Sequence, residues 1–238
     1  MARIVSFFVI FFTSVVVAYF LYFKPEEDLP IYQPSQLNPA LVDASAMRSE
    51  DHRILDFELV NHVGDTVKLA DVQGQILVVD FFFSRCATIC PLMTKNLQRI
   101  HDRLDPQMPV RILSHSVTPV ADSVSVLHRY AEKHGADPDL WWFLTGEKKE
   151  IYRLARRSYF SCLDEGDGGF QDFVHTENIV LVDGEGRLRG FYDGTDSKAV
   201  SQLFSDLEFL LKKNLKKVER GLGAGKRCTS FAAAFNGR

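Results

Sequence analysis

From about Ile54 onward, apolar runs of strand length alternate with segments whose apolar residues recur at helical spacing. The run QILVVDFFF, from Gln75 to Phe83, has the length and continuous apolar character of a buried strand. Helices are predicted from Pro91 to about Leu104 and from Ser123 to His134, where apolar residues fall on one face. Because strands and helices alternate in this way, the sequence predicts an α/β sheet.

The other segments of this part of the chain fit the same plan. They are a hairpin that turns at Gly64-Asp65, strands VRILSHSV and WWFLT, a helix from Glu147 to Ser158, a hairpin that turns between Asp183 and Gly186, and a helix from Ser197 to Val218. The last helix is amphipathic through Val200, Leu203 and Leu207. No internal repeat is found, and the length of 238 residues predicts one sizeable domain plus an extra segment.

Composition and charge exclude several classes of protein. The 238 residues are 46% hydrophobic and 25% charged, close to the globular average, which excludes wholesale disorder, a collagen helix and a coiled coil. The formal net charge of −3 gives no sign of nucleic-acid binding, but residues 212–238 carry eight Lys or Arg and one Glu. This basic segment is either a solvated helix end or a contact for anionic lipid or an acidic partner.

The N-terminal segment Ile4 to Phe23 is twenty residues long and carries no charge. A helix of that length covers the hydrocarbon core of a bilayer, about 30 Å thick. A cleaved signal peptide is disfavoured because the bulky run from Tyr19 to Phe23 replaces a small-residue cleavage site. Arg3 places the N-terminus in the cytoplasm. We therefore expect a transmembrane helix with the rest of the chain outside the cytoplasm.

The most reactive feature of the sequence is a cysteine pair, Cys86-Ala87-Thr88-Ile89-Cys90, followed by Pro91. It lies where a buried strand ends and a helix begins, and the positive end of a helix dipole favours thiolate. Proline suits the first helical turn. With three residues between them, the two sulfurs can form a disulfide or bind a soft metal. Two inert buried thiols and a structural zinc site remain as alternatives, although the latter needs four ligands and no second cysteine pair is present.

Other candidate site residues have simpler explanations. Met93 could be a soft ligand but shares an apolar stripe with core residues of its helix. Asp80 could accept a proton from a thiol or face a polar patch. His115 lies toward the C-terminal end of a strand, where sites in α/β proteins gather. Trp141 and Trp142 are expected in the core or as a packing lid.

Three segments together resemble the Sco/SenC family of membrane-anchored, thioredoxin-like copper proteins that help to assemble cytochrome c oxidase. They are FFFSRCATICPLMTKNLQRI, SHSVTP and DFVHTENIVLVDGEGRLRGFYDG, and the resemblance runs from about Ile54 to Lys213. It implies that Cys86, Cys90 and His175 bind copper. In thioredoxin-like folds, the loop entering the last hairpin packs against the cysteines, which suits His175. Two thiolates and an imidazole are suited to Cu(I) and can also hold Cu(II).

The N-terminal and C-terminal segments, together with the resemblance of the central part, predict an organisation for the whole chain. A cytoplasmic N-terminus and transmembrane anchor at residues 1–24 would lead into an extended stalk at 25–50. A thioredoxin-like copper-binding domain at 51–218 would follow, and then a flexible basic tail at 219–238. The expected location is the cell inner membrane, crossed once, with the soluble domain on the periplasmic side.

The expected partner is the copper-bearing subunit of cytochrome c oxidase, with other copper carriers or thioredoxin-like reductants as further partners, and no nucleic acid. The protein is therefore interpreted as a metallochaperone more than as an enzyme. A membrane-anchored thiol-disulfide oxidoreductase or peroxiredoxin-like enzyme is the alternative, since two thiols suffice for that chemistry. A redox-sensing interaction domain remains open as well. Thr88-Ile89 stands where the family often has an acidic residue, and Cys162 and Cys228 are further thiols whose role the sequence leaves open.

Overall fold

A computed structural model describes residues 2–22, 28–38, 41–42, 51–163, 169, 172–174 and 176–221. Within these residues, five α-helices and seven strands form the main elements. The helices are α1 (Ala2–Tyr22), α2 (Cys90–His101), α3 (Val124–Lys133), α4 (Lys148–Arg153) and α5 (Ser197–Gly221). The strands are β1 (Glu58–Asn61), β2 (Thr66–Lys68), β3 (Ile76–Phe82), β4 (Val110–Ser116), β5 (Trp141–Thr145), β6 (Asn178–Val182) and β7 (Leu188–Asp193).

The seven strands form one sheet in the order β2-β1-β5-β4-β3-β6-β7. Strand β3 lies parallel to β4 and antiparallel to β6, and β4 lies parallel to β5. All seven residues of β3 are buried, which agrees with the continuous apolar run in its sequence. The cysteine motif therefore follows directly from a strand that is covered on both faces.

Two hydrophobic clusters cover the two faces of the sheet. One joins α2, α3 and α5 to the sheet through residues such as Leu97, Leu127 and Leu203, all fully buried. The other packs against the opposite face and includes Ile151 of α4 and Tyr159. Burial of each such aliphatic side chain contributes about 1.5–3 kcal/mol relative to exposure. The amphipathic helices predicted from the sequence thus pack where the α/β pattern requires.

The predicted strands, helices and hairpins of the domain are confirmed, with one local difference. The helix predicted from Glu147 to Ser158 begins as α4 but widens after Arg153 into a π-helical turn, Leu154–Ser158. Phe160 follows with a left-handed backbone, φ 46°. An inserted turn of this kind shifts the side chains that come after it, and such turns are frequent at functional sites.

In the N-terminal part of the chain, the structure describes helix α1 and a short segment, residues 28–38, with a 3-10 turn at Pro34–Gln36. Helix α1 covers most of the segment for which a membrane span is predicted. No helix among the described residues is long and apolar enough to cross a membrane, so the predicted transmembrane helix is not found there. Residues 28–38 lie on the domain: the Tyr32 N–H donates to the Leu188 carbonyl at 2.9 Å, and the buried Arg189 bonds to Asp28 and the Leu29 carbonyl.

Candidate metal centre

Cys86 and Cys90 lie at the C-terminal end of β3, on opposite sides of a short turn. The Cys86 N–H donates to the Phe83 carbonyl at 3.1 Å, which closes a turn immediately after the strand. Cys90 is the first residue of α2, and Pro91 occupies the first turn as predicted. Both thiols are free and buried, Cys90 at 3% exposure and Cys86 at 9%, in the cluster beneath α2. The Cys86 sulfur is the more accessible of the two.

The two thiols differ in acidity. Partial burial opposes ionisation of Cys86, but hydrogen bonds from Thr88 and Cys90 outweigh it and lower the pKa of Cys86 from 9.0 to about 7. The Thr88 hydroxyl lies 3.5 Å from the Cys86 sulfur. Deeper burial, together with the negative charges of Cys86 and Asp80, raises the pKa of Cys90 to about 12. Near neutral pH, Cys86 is therefore close to half thiolate, whereas Cys90 keeps its proton.

A buried polar group lies on the cysteine face of β3. Asp80 is 1% exposed, and its carboxyl accepts a hydrogen bond from the Ser114 hydroxyl on the neighbouring strand. The Trp141 indole N–H in turn donates to the Ser114 hydroxyl oxygen at 2.8 Å. Burial raises the pKa of Asp80 to about 7, so this carboxyl also titrates near neutral pH. Both interpretations of Asp80 are compatible with this position, because it lies in a polar patch and affects the pKa of Cys90.

The segment around residue 175 is held by side chains of α4 and of the π-helical turn. Arg156 forms a bidentate ion pair with Asp172, with N···O distances of 2.7 and 2.6 Å, and both side chains are 8% exposed. The Lys148 ammonium donates to the carbonyls of Gly169 and Asp172 at 2.6 Å. On the other side, the Thr176 hydroxyl donates to the Ser161 carbonyl at 2.6 Å. Chain on both sides of position 175 is therefore fixed to the domain.

The other predicted site residues are placed as follows. His175 itself and Cys228 lie outside the described residues. Met93 is fully buried in the core with Leu97, so the packing explanation is confirmed. Cys162 is half-buried and packs against the core cluster on the other face of the sheet from Cys86 and Cys90. No group of three or more His, Cys, Asp or Glu side chains that could hold a metal occurs within the described part of the chain.

His115 and the two tryptophans have structural positions. The His115 ring is fully buried and stacks on Phe81 with ring centroids 4.9 Å apart. These two residues are direct neighbours across β3 and β4, on the sheet face opposite the cysteine cluster. Burial lowers the pKa of His115 to about 4, so the ring is neutral near pH 7. Trp141 is fully buried, and Trp142 lies under the Arg111 guanidinium, 4.3 Å from its ring centroid.

Sequence reasoning missed two polar groups that organise this end of the sheet. One is the Arg156–Asp172 ion pair described above. The other is Asp122, which is fully buried and accepts hydrogen bonds from Ser84, Ser116 and Thr118. A capping-type cluster of Ser, Thr and Asp in SHSVTPVADS was a signal that could have pointed to Asp122. The ion pair had no sequence signal, because its partners are sixteen residues apart, beyond the reach of a local motif.

Comparison with known proteins places this arrangement in a family. The family model for SCO1/SenC matches residues 45–211. The SCO1 protein homolog of Bacillus subtilis is 29% identical over 160 residues, which are 66% of this chain and 82% of that protein. The residues that the family model matches include β3, the cysteine motif and both hairpins of the domain.

Solved structures agree with this assignment. BsSco, a member of the Sco family of cytochrome c oxidase assembly proteins with a disulfide switch, matches with a TM-score of 0.58 and 29% identity, over 68% of this chain and 95% of that one. ScoI of Arabidopsis thaliana with copper bound matches with a TM-score of 0.51 and 22% identity, over 66% and 98% of the two chains, which shows the shared fold. The predicted thioredoxin-like α/β fold is confirmed. Because the family model covers well over half of the sequence, this chain belongs to the SCO1/SenC family.

Proposed function

We propose that this protein is a copper-binding chaperone and thiol reductant for assembly of the dinuclear copper centre of cytochrome c oxidase. Its copper ligands would be Cys86, Cys90 and His175. The observation that carries the proposal is a pair of free thiols at a strand-to-helix turn in a chain of the SCO1/SenC family. ScoI with copper bound, which shares the fold, supports copper as the cargo.

The donor set fits a soft metal ion. Thiolate sulfur selects Cu(I), and an imidazole nitrogen adds the harder donor that Cu(II) prefers. Cys86 supplies a thiolate readily because its pKa is about 7, whereas Cys90 must lose a proton when it becomes a ligand. The copper proposal adds a third donor to the two sulfurs, and no group of three potential ligands occurs within the described residues. His175 is our assignment because Val174 and Thr176, on either side of it, are buried in the domain.

The same thiol pair could reduce a disulfide of the oxidase subunit before copper transfer. The Cys86 thiolate would attack one sulfur of the target disulfide, form a mixed disulfide and release the first target thiolate. Deprotonated Cys90 would then attack the Cys86 sulfur, form the Cys86–Cys90 disulfide and release the second. The dithiol thus supplies two electrons and becomes oxidised. A thioredoxin-like reductant would restore it.

A second candidate function is that of a thiol-disulfide oxidoreductase or peroxiredoxin-like enzyme that binds no copper. The difference in acidity between the two thiols favours it, because an accessible, acidic Cys86 and a buried Cys90 suit the roles of attacking and resolving thiol. The two candidates differ in the importance of His175. Disulfide exchange needs two cysteines, whereas the copper proposal needs the imidazole as well.

The test is a metal titration of the full chain. Wild type, Cys86→Ser, Cys90→Ser and His175→Ala are titrated with Cu(I) against a competing chelator and with Cu(II) by absorbance. His128→Ala, which changes an exposed histidine on α3, is the matched control. We expect either serine variant to lose both complexes, because a hydroxyl is a hard, protonated donor.

For His175→Ala we expect partial loss of Cu(I) affinity and loss of the stable Cu(II) complex with its thiolate-to-copper absorption. Two thiolates can hold Cu(I) in nearly linear geometry, whereas Cu(II) needs further nitrogen or oxygen donors. If His175→Ala binds Cu(II) with wild-type affinity and spectrum, His175 is not a ligand. If wild type binds no stoichiometric copper but exchanges disulfides through both cysteines, the oxidoreductase is the correct function.

We also propose that the N-terminal segment holds the protein in the cell inner membrane, with the domain on the periplasmic side. The support is that large apolar side chains such as Ile4, Phe7 and Ile10 on helix α1 are exposed to solvent, where contact with lipid would stabilise them. Arg3 favours a cytoplasmic N-terminus. A reporter enzyme fused after Arg238 should be active only outside the cytoplasm. Activity confined to the cytoplasm would contradict this topology.

A further inference from the structure

Asp122 is a fully buried carboxylate that gathers four neutral hydrogen-bond donors. One oxygen, Oδ1, accepts from the Ser84 hydroxyl at 2.6 Å. The other, Oδ2, accepts from the Ser84 N–H at 3.1 Å, the Ser116 hydroxyl at 2.6 Å and the Thr118 hydroxyl at 3.0 Å. A buried carboxylate is costly unless its oxygens are hydrogen-bonded, and these four bonds supply that compensation.

These bonds join two loops that leave the sheet side by side. Ser84 belongs to the turn between β3 and the cysteine motif, and Ser116 ends the parallel strand β4. The Val117 N–H also donates to the Phe82 carbonyl at 2.8 Å, so the two loops begin side by side at the ends of β3 and β4. The bonds to Asp122 join the two loops beyond the ends of β3 and β4, where the backbone hydrogen bonds of the sheet have stopped.

The two cysteines depend on this connection to different degrees. Cys90 is fixed by the first turn of α2, whereas Cys86 lies in neither a helix nor a strand. What holds the Cys86 turn is its own N–H bond to Phe83 and the two bonds from Ser84 to Asp122. We propose that Asp122 is a positioning residue that sets the place of the Cys86 sulfur relative to Cys90, and thereby the copper affinity and geometry of the site.

This inference rests on the proposed copper function, since the sulfur positions matter most when one ion must be bound by both thiolates. Asp122 touches neither sulfur in the hydrogen-bond network of the described residues, so it acts through Ser84. A displaced Cys86 would hold copper less tightly and with a different thiolate-to-copper geometry. It would also lose part of the hydrogen bonding from Thr88 that stabilises its thiolate.

The test uses the full chain with two substitutions of different severity. Asp122→Asn keeps the shape but removes the charge and one acceptor oxygen, and Ser84→Ala removes only the hydroxyl bond. The matched control is Asn61→Ala. The Asn61 side chain is also buried and accepts two backbone N–H bonds, from Val63 and Asp65, but it does so in the β1–β2 turn. It therefore reports the cost of losing comparable bonds far from the cysteines.

Each variant is titrated with Cu(I) against a chelator, and the Cu(II) absorption band and the rate of Cys86 alkylation near pH 6 are recorded. We expect Asp122→Asn to weaken Cu(I) binding about tenfold and Ser84→Ala about threefold, the range expected when a hydrogen bond to a charged group is weakened. Both should shift the Cu(II) band and slow the alkylation of Cys86. Asn61→Ala should stay within about twofold of wild type in all three readouts, whatever its stability.

The outcomes separate this inference from the proposed function. If wild type binds copper and both site variants match it in affinity, band and alkylation rate, the positioning role of Asp122 is wrong and the copper function stands. If Asn61→Ala shows the same changes, the effect is general destabilisation and the inference is also wrong. If wild type binds no copper, the copper function fails, and the alkylation rate alone decides whether Asp122 positions Cys86. If Asp122→Asn does not fold, Ser84→Ala decides the result.

Discussion

The Cys86 turn and the segment from Ser161 to Asn178 meet at one end of the sheet but are fixed by different means. The turn is held by the Cys86 N–H bond to Phe83, by two bonds from Ser84 to the buried Asp122 carboxylate, and by the start of a helix. The segment is held largely by charge, through the Arg156–Asp172 ion pair and the Lys148 ammonium. The first arrangement combines a local motif with one distant hydrogen-bond acceptor, whereas the second depends on cationic side chains of α4 and the π-helical turn.

This difference has a consequence for the two kinds of copper ligand. Cys90 is fixed by the first turn of α2, and Cys86 by the hydrogen bonds of its turn, so neither cysteine depends on a buried ion pair. The chain on either side of His175 depends on charged groups that are 8% exposed, where removal of one partner takes the bidentate ion pair from the other, which is also buried. We expect the cysteine pair to tolerate damage that disturbs the histidine segment.

The largest effect is expected from the buried ion pair. Arg156→Met should lower the free energy of unfolding by about 3–5 kcal/mol, because Asp172 loses its bidentate partner inside the protein. The matched control is Arg153→Met, which removes a more exposed arginine paired with Glu150 in the same helix. That change should cost less than about 1 kcal/mol. Denaturant unfolding measures both, and equal losses would show that the histidine segment does not depend on buried charge.

The second prediction concerns the reactivity of the cysteine pair. At neutral pH, iodoacetamide should modify Cys86 about a hundredfold faster than Cys90, since only the thiolate reacts and the lower intrinsic nucleophilicity of the acidic thiol offsets part of the advantage. The rate at Cys86 should rise with pH and level off above about 7, its pKa. Mass mapping after timed alkylation measures both sites. Equal rates at Cys86 and Cys90 would contradict the asymmetry of the pair.

The third prediction tests the carboxyl beneath the pair. The pKa of Asp80 is raised from 3.8 to about 7 by burial, so its protonated form stabilises the fold fully below pH 3.8 and this contribution is lost as the pH rises through about 7. Asp80→Asn stays neutral and lacks this loss. Relative to wild type, its stability should therefore rise by about 3 kcal/mol between about pH 5 and about pH 8.5, since the loss accumulates over about two pH units at about 1.36 kcal/mol per unit. Parallel pH profiles of the two proteins would contradict a raised pKa.

Comparison of sequence and structure follows the same division between local and distant contacts. The strands, the helices and the position of the cysteine motif could be predicted because each is encoded by a short pattern, such as the apolar run of β3 or Pro91 after Cys90. Met93 was also correctly interpreted, since its helical spacing indicated the core. These predictions depend on residues within a few positions of one another.

Features that join distant segments could not be predicted. The π-helical turn at Leu154–Ser158 has a sequence compatible with an ordinary helix. Arg156 in this turn pairs with Asp172, and that contact is visible only in the folded chain. The placement of His115 on the face away from the cysteines depended on strand register. The C-terminal end of a strand is a general indication of a site, but a side chain there can point to either face of the sheet.

The smallest expected effect concerns the direct contact between the two regions. Phe83, just before the Cys86 turn, meets Phe173 edge to face, with ring centroids 5.4 Å apart. Phe173 is half exposed, so each single alanine substitution mixes several losses, and a double-mutant cycle is needed to isolate the pair. We expect a coupling free energy of about 0.5–1.5 kcal/mol in unfolding, the range for edge-to-face aromatic pairs. The Tyr32–Phe191 pair, with the same geometry at 5.5 Å on the β7 side of the sheet, provides the matched cycle.

The same two cycles can be measured in copper binding. If the copper ligands act as one unit, the Phe83–Phe173 cycle should also show coupling in Cu(II) affinity, and the Tyr32–Phe191 cycle should show none. Coupling in stability without any in Cu(II) affinity would mean that the two regions pack together but bind copper independently of that contact.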